Sequence, residues 1–295
     1  MQSPGESSYR SGVTVVEILT AAGIISLILA LIVPAIQKAR EEARRAHCLS
    51  NLHHVMLAQH QYHELHGCFP GVEGDVFVNV TVFIDYSEAD PAKKIWPTMC
   101  PTDALNTDEL QRSLLTSYHG NRGIHLEEAS GIGDGFTGGY RWSEDGPDTI
   151  FITQADILDG LSNTSAASER LALPAFHSRD VDWNDYPHLW GRLILLTDEH
   201  HEDLQEMADE CDYRAGKPRV TQLMTSYYNH VLPPNHNSCT NGRPFNPNMI
   251  YPLTASSLHQ GGANVAMADC SVRFVSEQIN RQVWWAMGTR NGGEP

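Results

Sequence analysis

The feature that most constrains this chain is an uninterrupted apolar run near its N-terminus. Residues 13 to 33 read VTVVEILTAAGIISLILALIV, with Glu17 as the only charged side chain. At a rise of about 1.5 Å per residue the run gives a helix of roughly 31 Å, which matches the hydrocarbon core of a bilayer. Helices buried in soluble proteins seldom lack polar residues over such a length. The run therefore predicts a membrane-spanning helix.

Two ordinary interpretations of the run are a permanent anchor and a conventional secretory signal. A conventional signal has an apolar stretch of roughly 7–15 residues with small residues before the cut. The run here is longer, but Val33-Pro34-Ala35 resembles such a cleavage site and would leave Ile36 as the first residue. Both interpretations therefore stay open.

A third interpretation rests on Gly12, which directly precedes Val13 and stands five residues before Glu17. This junction resembles the leader of type IV pilins and type II secretion pseudopilins, in which a peptidase cuts after a glycine and a glutamate is the fifth residue of the mature chain. Those families usually begin the mature chain with Phe, and Val13 departs from that pattern. The resemblance implies a leader over residues 1–12, cleavage by a prepilin peptidase and methylation of the new Val13 amine.

Glu17 is a functional candidate because a carboxylate within an apolar helix is costly unless it meets a partner. In the resembled families that partner is the N-terminal amine of a neighbouring subunit, which fixes the register during assembly. The resemblance therefore implies that other pilin-like subunits bind through the N-terminal helix. The alternative is a carboxylate near the helix end that reaches the lipid headgroups.

The charges that flank the run favour the opposite orientation from the one that the resemblance implies. Basic residues near a membrane favour the cytoplasmic side, and four of them follow the run: Lys38, Arg40, Arg44 and Arg45. The pilin resemblance places the leader in the cytoplasm and exports the domain to the periplasmic side of the inner membrane. We follow the resemblance, because its motif is more specific than a bias of four residues.

The helix is predicted to continue beyond the membrane, because no Gly or Pro interrupts residues 35–66. Leu49, Leu52, Val55 and Met56 recur there at near-helical spacing, as in a helix packed against a domain. Gly67 and Pro70 are predicted to end it. The predicted organisation is a leader (1–12), a transmembrane and assembly helix (13–35), its continuation (36–66) and an exported globular domain (67–295).

Five short motifs follow one another along the chain: Ala43-Arg44-Arg45 with Cys48 and Asn51-Leu52; Cys100-Pro101-Thr102-Asp103; SYHGN at 117–121; DGLSNT at 159–164 with Glu169; and HQGGAN at 259–264, leading to Asp269. Their order resembles a bacterial group of prepilin-cleaved proteins with a domain of unknown function and a C-terminal His-x9-Asp-Gly motif. Cys270 stands where that group has glycine. The resemblance covers nearly the whole chain, and it marks these motif residues: Cys100, Asp103, Asp159, Gly160, Asn163, His259, Gly261, Gly262, Asn264 and Asp269.

The sequence of the domain predicts mainly strands and turns. Residues 264–275 (NVAMADCSVRFV) alternate on both sides of Asp269-Cys270, which predicts a hairpin, and the β-branched run 76–84 predicts a further strand. The acidic segment at about 197–213 is predicted to be a solvated helix or an insertion. The predicted fold class is α+β, with an antiparallel sheet against the long helix.

Fifteen histidines raise the question of a metal site. His60, His63 and His66 do not all share one helix face, and they lack the HExxH spacing that aligns two ligands and a base. Asp180, Asp182 and Asn184 alternate like the start of a calcium loop, but the glycine and the closing glutamate of such a loop are missing. We therefore predict no cofactor and keep calcium at these three residues as a weak candidate.

His259 and Asp269 are the acid–base candidates, since they could face each other across the predicted hairpin. No GxSxG elbow, phosphate-binding loop or dinucleotide motif accompanies them. We predict that the protein is not an enzyme. The alternative is a membrane-anchored exported binding module or hydrolase that uses His259 and Asp269 or a calcium site.

The six cysteines are open to disulfide pairing if the domain is exported. Cys48 and Cys68 should not pair, because a helix would separate them by roughly 28 Å. Cys211 and Cys239 are the preferred pair, because both lie in polar, insertion-like sequence. Among the others the sequence does not choose.

The formal net charge of −16 excludes a nucleic-acid partner, because a polyanion would be repelled. The sequence thus predicts a pseudopilin-like structural subunit. It would be a single-pass inner-membrane protein with an exported domain, in a type II secretion or type IV pilus-like filament.

Overall fold

The computed structural model describes residues 12, 14–70, 99–102, 116–124, 133–143, 146–171, 193–195, 203–213, 227–240 and 253–292. The chain divides into two compact units, residues 1–43 and residues 44–295. One helix, α1 (Val15–His66), contributes to both units. The predicted strand at 76–84 lies outside the described residues.

Helix α1 ends where its sequence predicts, and a capping box lies at its start. Thr14 precedes its first residue, and Thr14 with Glu17 forms the reciprocal hydrogen bonds of a capping box. At the other end Gly67 has φ +74° and donates its backbone N–H to the carbonyl of His63. Glycine adopts this left-handed conformation without steric cost, which ends the helix after His66.

The first unit contains the apolar half of α1, and its side chains are exposed. This part of the helix is long and apolar enough to cross a membrane, and none of that span is buried within the structure. The exposed large apolar residues up to Ile36 are Val15, Val16, Ile18, Leu19, Ile24, Ile25, Leu27, Ile28, Leu29, Leu31, Ile32, Val33 and Ile36.

The second unit is built around a five-stranded sheet in the order β6-β1-β4-β8-β9. The strands and the later helices are, in chain order, β1 (Tyr118–Asn121), β2 (Gly139–Ser143), β3 (Gly146–Ile150), β4 (Ser165–Glu169), β5 (Leu193–Leu195), α2 (Leu204–Tyr213), β6 (Tyr227–Tyr228), β7 (Ser238–Thr240), β8 (Gly262–Met267), β9 (Val272–Ser276) and α3 (Arg281–Gly288). The pairs β2-β3 and β5-β7 form two small sheets.

The α+β prediction is confirmed, and the sheet is mixed rather than wholly antiparallel. β1, β4, β8 and β9 pair antiparallel, as predicted. β6 pairs parallel with β1, and β5 pairs parallel with β7. The sequence analysis missed the parallel pairs because two- and three-residue strands leave no readable alternation.

The second half of α1 supplies one side of the main core. Cys48, Leu52, Val55 and Met56 lie in one buried cluster with the sheet residues Ala166, Ala167 and Ala266. Small alanine side chains on the sheet leave room for the larger side chains of the helix, so that the two elements pack closely. A separate cluster contains Tyr228, Val265 and Met267 together with Trp284 of α3.

The structure confirms the predicted hairpin and changes the interpretation of the acidic segment. β8 and β9 pair through residues 262–276 around a turn at Asp269 and Cys270, which confirms the hairpin. Residues 204–213 form α2, but Met207, Ala208 and Cys211 are buried, so this helix is not simply solvated. Its sequence looks solvated because its exposed side is strongly acidic.

Candidate functional site

The N-terminal candidate residues lie at the start of α1. The Glu17 carboxylate accepts hydrogen bonds from the backbone N–H and the hydroxyl of Thr14, both at 2.8 Å, and the N–H of Glu17 lies 3.3 Å from the Thr14 hydroxyl oxygen. Gly12 is exposed, and Val13 lies outside the described residues. The carboxylate thus has a partner in its own chain. Sequence reasoning missed this partner, although Thr-x-x-Glu is the pattern of a capping box.

The DGLSNT motif forms the turn that leads into β4. Gly160 has φ +93°, and the Asn163 side chain donates to the carbonyl of Asp159 at 2.9 Å. The Asp159 carboxylate accepts from the backbone N–H of Gly292 at 2.8 Å. These motif residues shape the turn and hold the backbone at Gly292 against it, which is a structural role. Asp103 lies outside the described residues.

The glycines of the C-terminal motif serve the conformation of the backbone. Gly261 has φ +85°, in the left-handed region. A Cβ built on Gly262 would lie 2.0 Å from the carbonyl oxygen of Val275 on β9. A side chain at residue 262 would therefore force the hairpin strands apart.

The predicted pairing of His259 with Asp269 is wrong. His259 precedes β8 and Asp269 follows it, so a six-residue strand, about 20 Å long, separates them. Asp269 lies in the hairpin turn, where its carboxylate accepts from the backbone N–H of Ser271 at 2.9 Å. The two residues were expected to face each other across the predicted hairpin, but His259 lies before its first strand and Asp269 lies in its turn.

His259 instead belongs to a buried cluster that gathers three motif residues from distant parts of the chain. Its Nε2 lies 3.4 Å from Oε1 of Glu169 and 3.5 Å from Sγ of Cys100. Cys100 forms a disulfide with Cys48 of α1. Asn264 of β8 donates to both carboxylate oxygens of Glu169, through its side chain to Oε1 and its backbone N–H to Oε2, each at 2.8 Å. We call Cys48, Cys100, Glu169 and His259 the buried cluster.

Four segments of the fold position the buried cluster. Glu169 is the last residue of β4, and the antiparallel β4–β8 pairing places it beside Asn264. His259 is fixed through its backbone N–H, which donates to the hydroxyl of Ser257 at 3.1 Å. The N–H of Cys100 donates in the same way to Ser117. Cys48 and Cys100 are 0% and 3% exposed, and Glu169 and His259 are each 2% exposed, so water is nearly excluded.

The buried cluster does not have the geometry of a nucleophilic triad. In a Cys–His–carboxylate triad the nucleophile and the carboxylate bind opposite nitrogens of the imidazole. Here Sγ of Cys100 and Oε1 of Glu169 both approach Nε2. Moreover, the Cys100 sulfur is held in the disulfide, so it has no thiolate to attack with.

The other histidine candidates have packing roles. His60 Nε2 lies 2.7 Å from the carbonyl oxygen of Ala268, and His63 Nε2 accepts from the backbone N–H of Gln154 at 3.3 Å. The His66 ring lies over that of Tyr62, with 4.2 Å between the centroids. Their ring nitrogens point to different partners and do not converge. The calcium candidates Asp180, Asp182 and Asn184 lie outside the described residues.

A second set of buried polar side chains forms a row of hydrogen bonds across the sheet, and none of its residues is exposed. The hydroxyls of Ser165 and Tyr228 bond to each other, Tyr228 bonds to His230 Nε2 at 2.9 Å, and His230 Nδ1 lies 2.8 Å from the Trp284 carbonyl oxygen. Burial lowers the pKa of His230 to about 3, because an imidazolium there would lose its hydration. Burial likewise holds the pKa of His119 well below its ordinary value, with a further contribution from the positive charge of Arg170.

Both predictions about the disulfides are confirmed. Cys211 pairs with Cys239, and Cys48 does not pair with Cys68. Cys68 and Cys270 are free thiols. The Cys48–Cys100 pair was left open because the two residues are 52 positions apart and the intervening sequence gives no sign of their contact.

Comparison with known proteins gives one match. A family model described as a protein of unknown function, DUF1559, matches residues 37–82 and 83–282. These ranges contain every residue of the buried cluster and exclude the apolar half of α1. No curated protein and no solved structure shows significant similarity to the chain.

Proposed function

The chain belongs to the DUF1559 family, and from this premise we propose that it is a pseudopilin-like structural subunit rather than an enzyme. Family membership and the apolar N-terminal helix fit a pilin-like, membrane-anchored protein. In the proposed mechanism a prepilin peptidase cuts after Gly12, and the new Val13 amine is methylated. The mature subunit stays in the inner membrane with its domain on the periplasmic side. It then joins a type II secretion or type IV pilus-like filament through α1.

The observation that carries this proposal is the exposed apolar surface of α1. From Val15 to Ile36 its large apolar side chains are exposed, and the only charge in the predicted span is Glu17. A soluble monomer rarely exposes so large an apolar patch, because water orders around it at a free-energy cost. Lipid removes that cost in the membrane, and neighbouring copies of the helix would remove it in a filament.

Gly12 supports cleavage at the proposed position. A Cβ built on this residue would meet no atom of the described residues within 4 Å, so packing against them does not require glycine there. The residue is exposed, as a cleavage site must be. A peptidase that accepts only glycine before the cut would explain it.

The capping box refines the proposed role of Glu17. In the single chain the Glu17 carboxylate already accepts two hydrogen bonds from Thr14. Within the membrane it would therefore have a polar partner before any other subunit binds. Assembly would then exchange the Thr14 hydrogen bonds for the amine of a neighbouring subunit. Since an ionised partner binds a carboxylate more strongly than a neutral one, the exchange is favourable once helices meet.

The N-terminus of the native protein is the first test. Mass spectrometry of membrane and soluble fractions should find a chain that starts at Val13, with or without a methyl group. A start at Ile36 would mean a conventional signal and a soluble domain. An intact Met1 would leave a simple anchor, and either of these results would overturn the processing step.

Three variants separate capping from assembly. Glu17→Gln keeps a capping acceptor but removes the charge, whereas Thr14→Ala removes the cap but keeps the carboxylate. We expect cross-linking between copies to be lost in Glu17→Gln and Glu17→Ala, and retained in Thr14→Ala. If Glu17→Gln cross-links like the unmodified protein, the carboxylate does not set the register. Thermal unfolding of the domain should be unchanged in all three.

The orientation has its own test, because the four basic residues after the apolar run favour the opposite side. Protease added to the periplasmic face of intact spheroplasts should digest the domain. Protection from the protease until the membrane is lysed would place the domain in the cytoplasm. That result would remove the filament proposal, since exported subunits assemble outside the cytoplasm.

A further inference from the structure

We propose that the buried cluster is a zinc site whenever its two cysteines are reduced, and a disulfide when they are oxidised. The ligands would be Cys48, Cys100, Glu169 and His259. Their potential ligand atoms all lie within 4.8 Å of one another. This inference is independent of the filament proposal, because it concerns only the globular unit.

The donor set is one that zinc uses. Structural zinc sites are four-coordinate and tetrahedral, with thiolate, imidazole and carboxylate ligands. Zinc–ligand bonds of about 2.3 Å to sulfur and about 2.0–2.1 Å to nitrogen or oxygen place adjacent ligand atoms roughly 3.4–3.6 Å apart. The observed separations are 3.5 Å for Cys100 Sγ to His259 Nε2 and 3.4 Å for His259 Nε2 to Glu169 Oε1. Two edges of the tetrahedron are thus already formed.

The convergence of two contacts on one nitrogen of His259 also favours a bound metal ion. Sγ of Cys100 and Oε1 of Glu169 converge on the same ring nitrogen of His259, as ligands of one ion would. A hydrogen bond uses one proton, and the single proton that Nε2 can carry cannot serve both acceptors well. A cation between the three atoms would satisfy all of them.

The burial of the Glu169–His259 pair needs an explanation that the disulfide does not supply. A buried carboxylate and imidazole are costly to remove from water, and a disulfide has no need of either neighbour. Asn264 donates hydrogen bonds to both oxygens of Glu169, through its side chain and its backbone N–H. Metal ligands are commonly oriented by such outer hydrogen bonds, which fix the carboxylate before the ion binds.

The second disulfide provides an internal control. Cys211 and Cys239 are buried like the first pair, and the Cys211 sulfur lies near the carbonyl of Asn237. Within the described part of the chain, the buried cluster is the only group of three or more His, Cys, Asp or Glu residues with converging ligand atoms. Zinc binding should therefore depend on the first cysteine pair and be indifferent to the second.

The exchange between the two states balances as follows. A dithiol reductant transfers two electrons and two protons to the Cys48–Cys100 disulfide and becomes a disulfide itself. The two new thiols then lose their protons as they bind Zn²⁺, so that two protons are released per ion bound. In the reverse direction a two-electron oxidant such as diamide takes one electron from each of the two thiolates. The sulfurs then bond to each other, the oxidant is reduced with uptake of two protons, and Zn²⁺ leaves.

The test is a cobalt titration of the full-length chain in detergent, without oxygen. Co²⁺ in a tetrahedral thiolate site gives strong visible absorption and sulfur-to-metal charge transfer. We expect about one Co²⁺ per chain in the dithiol-reduced protein, displaced by Zn²⁺, and no such absorption after oxidation with diamide. Absence of the tetrahedral spectrum in the reduced protein would overturn the proposal.

Variants assign the site. Cys211→Ser with Cys239→Ser should bind Co²⁺ like the unmodified chain, whereas Cys48→Ser with Cys100→Ser should not bind it. Asn264→Ala, which removes an orienting group and no ligand, should weaken binding about 10–100-fold. Equal binding by both double variants would overturn the assignment.

Folding is monitored separately in the same samples. If Cys48→Ser with Cys100→Ser does not fold, the unmodified reduced chain still decides the matter. Zn²⁺ should raise its unfolding midpoint in the reduced state and leave it unchanged in the oxidised state. An equal shift in both states would mean that zinc binds elsewhere.

Discussion

The two halves of α1 share one continuous helix but have opposite surroundings. Up to Ile36 the apolar side chains are exposed, whereas Cys48, Leu52, Val55 and Met56 in the second half are almost fully buried by the domain. Both halves are helical for the same local reasons, namely caps and few interior breakers, of which the helix contains only Gly23 and Pro34. Helix formation and helix burial are therefore separate properties. The second half is packed by its own chain, whereas the large apolar side chains of the first half are exposed among the described residues.

The largest expected effect comes from shortening one leucine in each half. Leu52→Ala should lower the free energy of unfolding of the domain by about 2–5 kcal/mol, because it leaves a cavity in the core. Leu29→Ala should change it by less than about 0.5 kcal/mol, since Leu29 touches no core. Denaturant unfolding of both variants in detergent measures this. Equal losses would erase the distinction between the halves.

The contribution of histidines to the pH dependence of stability should belong to the second unit. Residues 1–43 contain no histidine, whereas His230 is buried with a pKa of about 3 against an ordinary 6.5. Between these two values the unfolded chain binds a proton that the folded chain does not. The free energy of unfolding therefore falls as the pH drops below about 6.5, by roughly 1.4 kcal/mol per pH unit for each such histidine.

The His230→Gln variant measures that contribution. Its unfolding free energy between pH 7 and pH 4 should fall less steeply than that of the unmodified chain, by about 1.4 kcal/mol per pH unit. Buried His119, whose pKa is also low, should remain to give part of the slope. Parallel curves for the two proteins would show that His230 is not buried in its neutral form.

The caps of two helices provide the next comparison. Asn280 caps α3 by accepting from the backbone N–H groups of Gln282 and Val283, as Thr14 and Glu17 cap α1. Asn280→Ala should lower the stability of the domain by about 1 kcal/mol. Thr14→Ala should leave the unfolding midpoint of the domain unchanged, because it frays only the unburied half of α1. A loss from Thr14→Ala as large as that from Asn280→Ala would contradict the separation of the two units.

The smallest expected effect is a gain at the hairpin turn. Cys270 has φ +68°, a conformation that L residues adopt at a cost and glycine adopts freely. Cys270→Gly should raise the unfolding free energy by about 0.5–1 kcal/mol. Cys270→Ala is the control, since it removes the thiol but keeps the Cβ. A gain in both variants would assign the effect to the thiol rather than to the backbone.

Sequence reasoning predicted the features that depend on neighbouring residues. The helix end at Gly67 and the hairpin follow from local conformational preferences, and the structure confirms them. The Cys211–Cys239 pair was also predicted, from the shared character of its surroundings. The parallel pairing of β6 was missed, because a two-residue strand has no pattern of its own.

The buried cluster could not be predicted because its geometry is wholly tertiary. Cys100 and Asn264 were marked by the resemblance, and His259 was also an acid–base candidate. Nothing in the spacing of the three residues indicates that they meet at Glu169. Predicting the contact needs the β4–β8 register, which in turn depends on the complete sheet. Asp269 was mistaken for the partner of His259 because it follows soon after in sequence, at the far end of β8.

The strand order has a consequence for the timing of synthesis. β4 lies at the centre of the sheet between β1 and β8, yet roughly 90 residues separate the end of β4 from the start of β8, and ribosomes add about 5–20 residues per second. The central strand therefore waits for its second neighbour, on the order of ten seconds, with one edge open. During that interval Cys48 and Cys100 already exist as thiols while His259 has not been made. If the chain enters an oxidising compartment within this interval, the two cysteines can form their disulfide before His259 is available as a ligand. If it does not, the complete set of four ligands can form first.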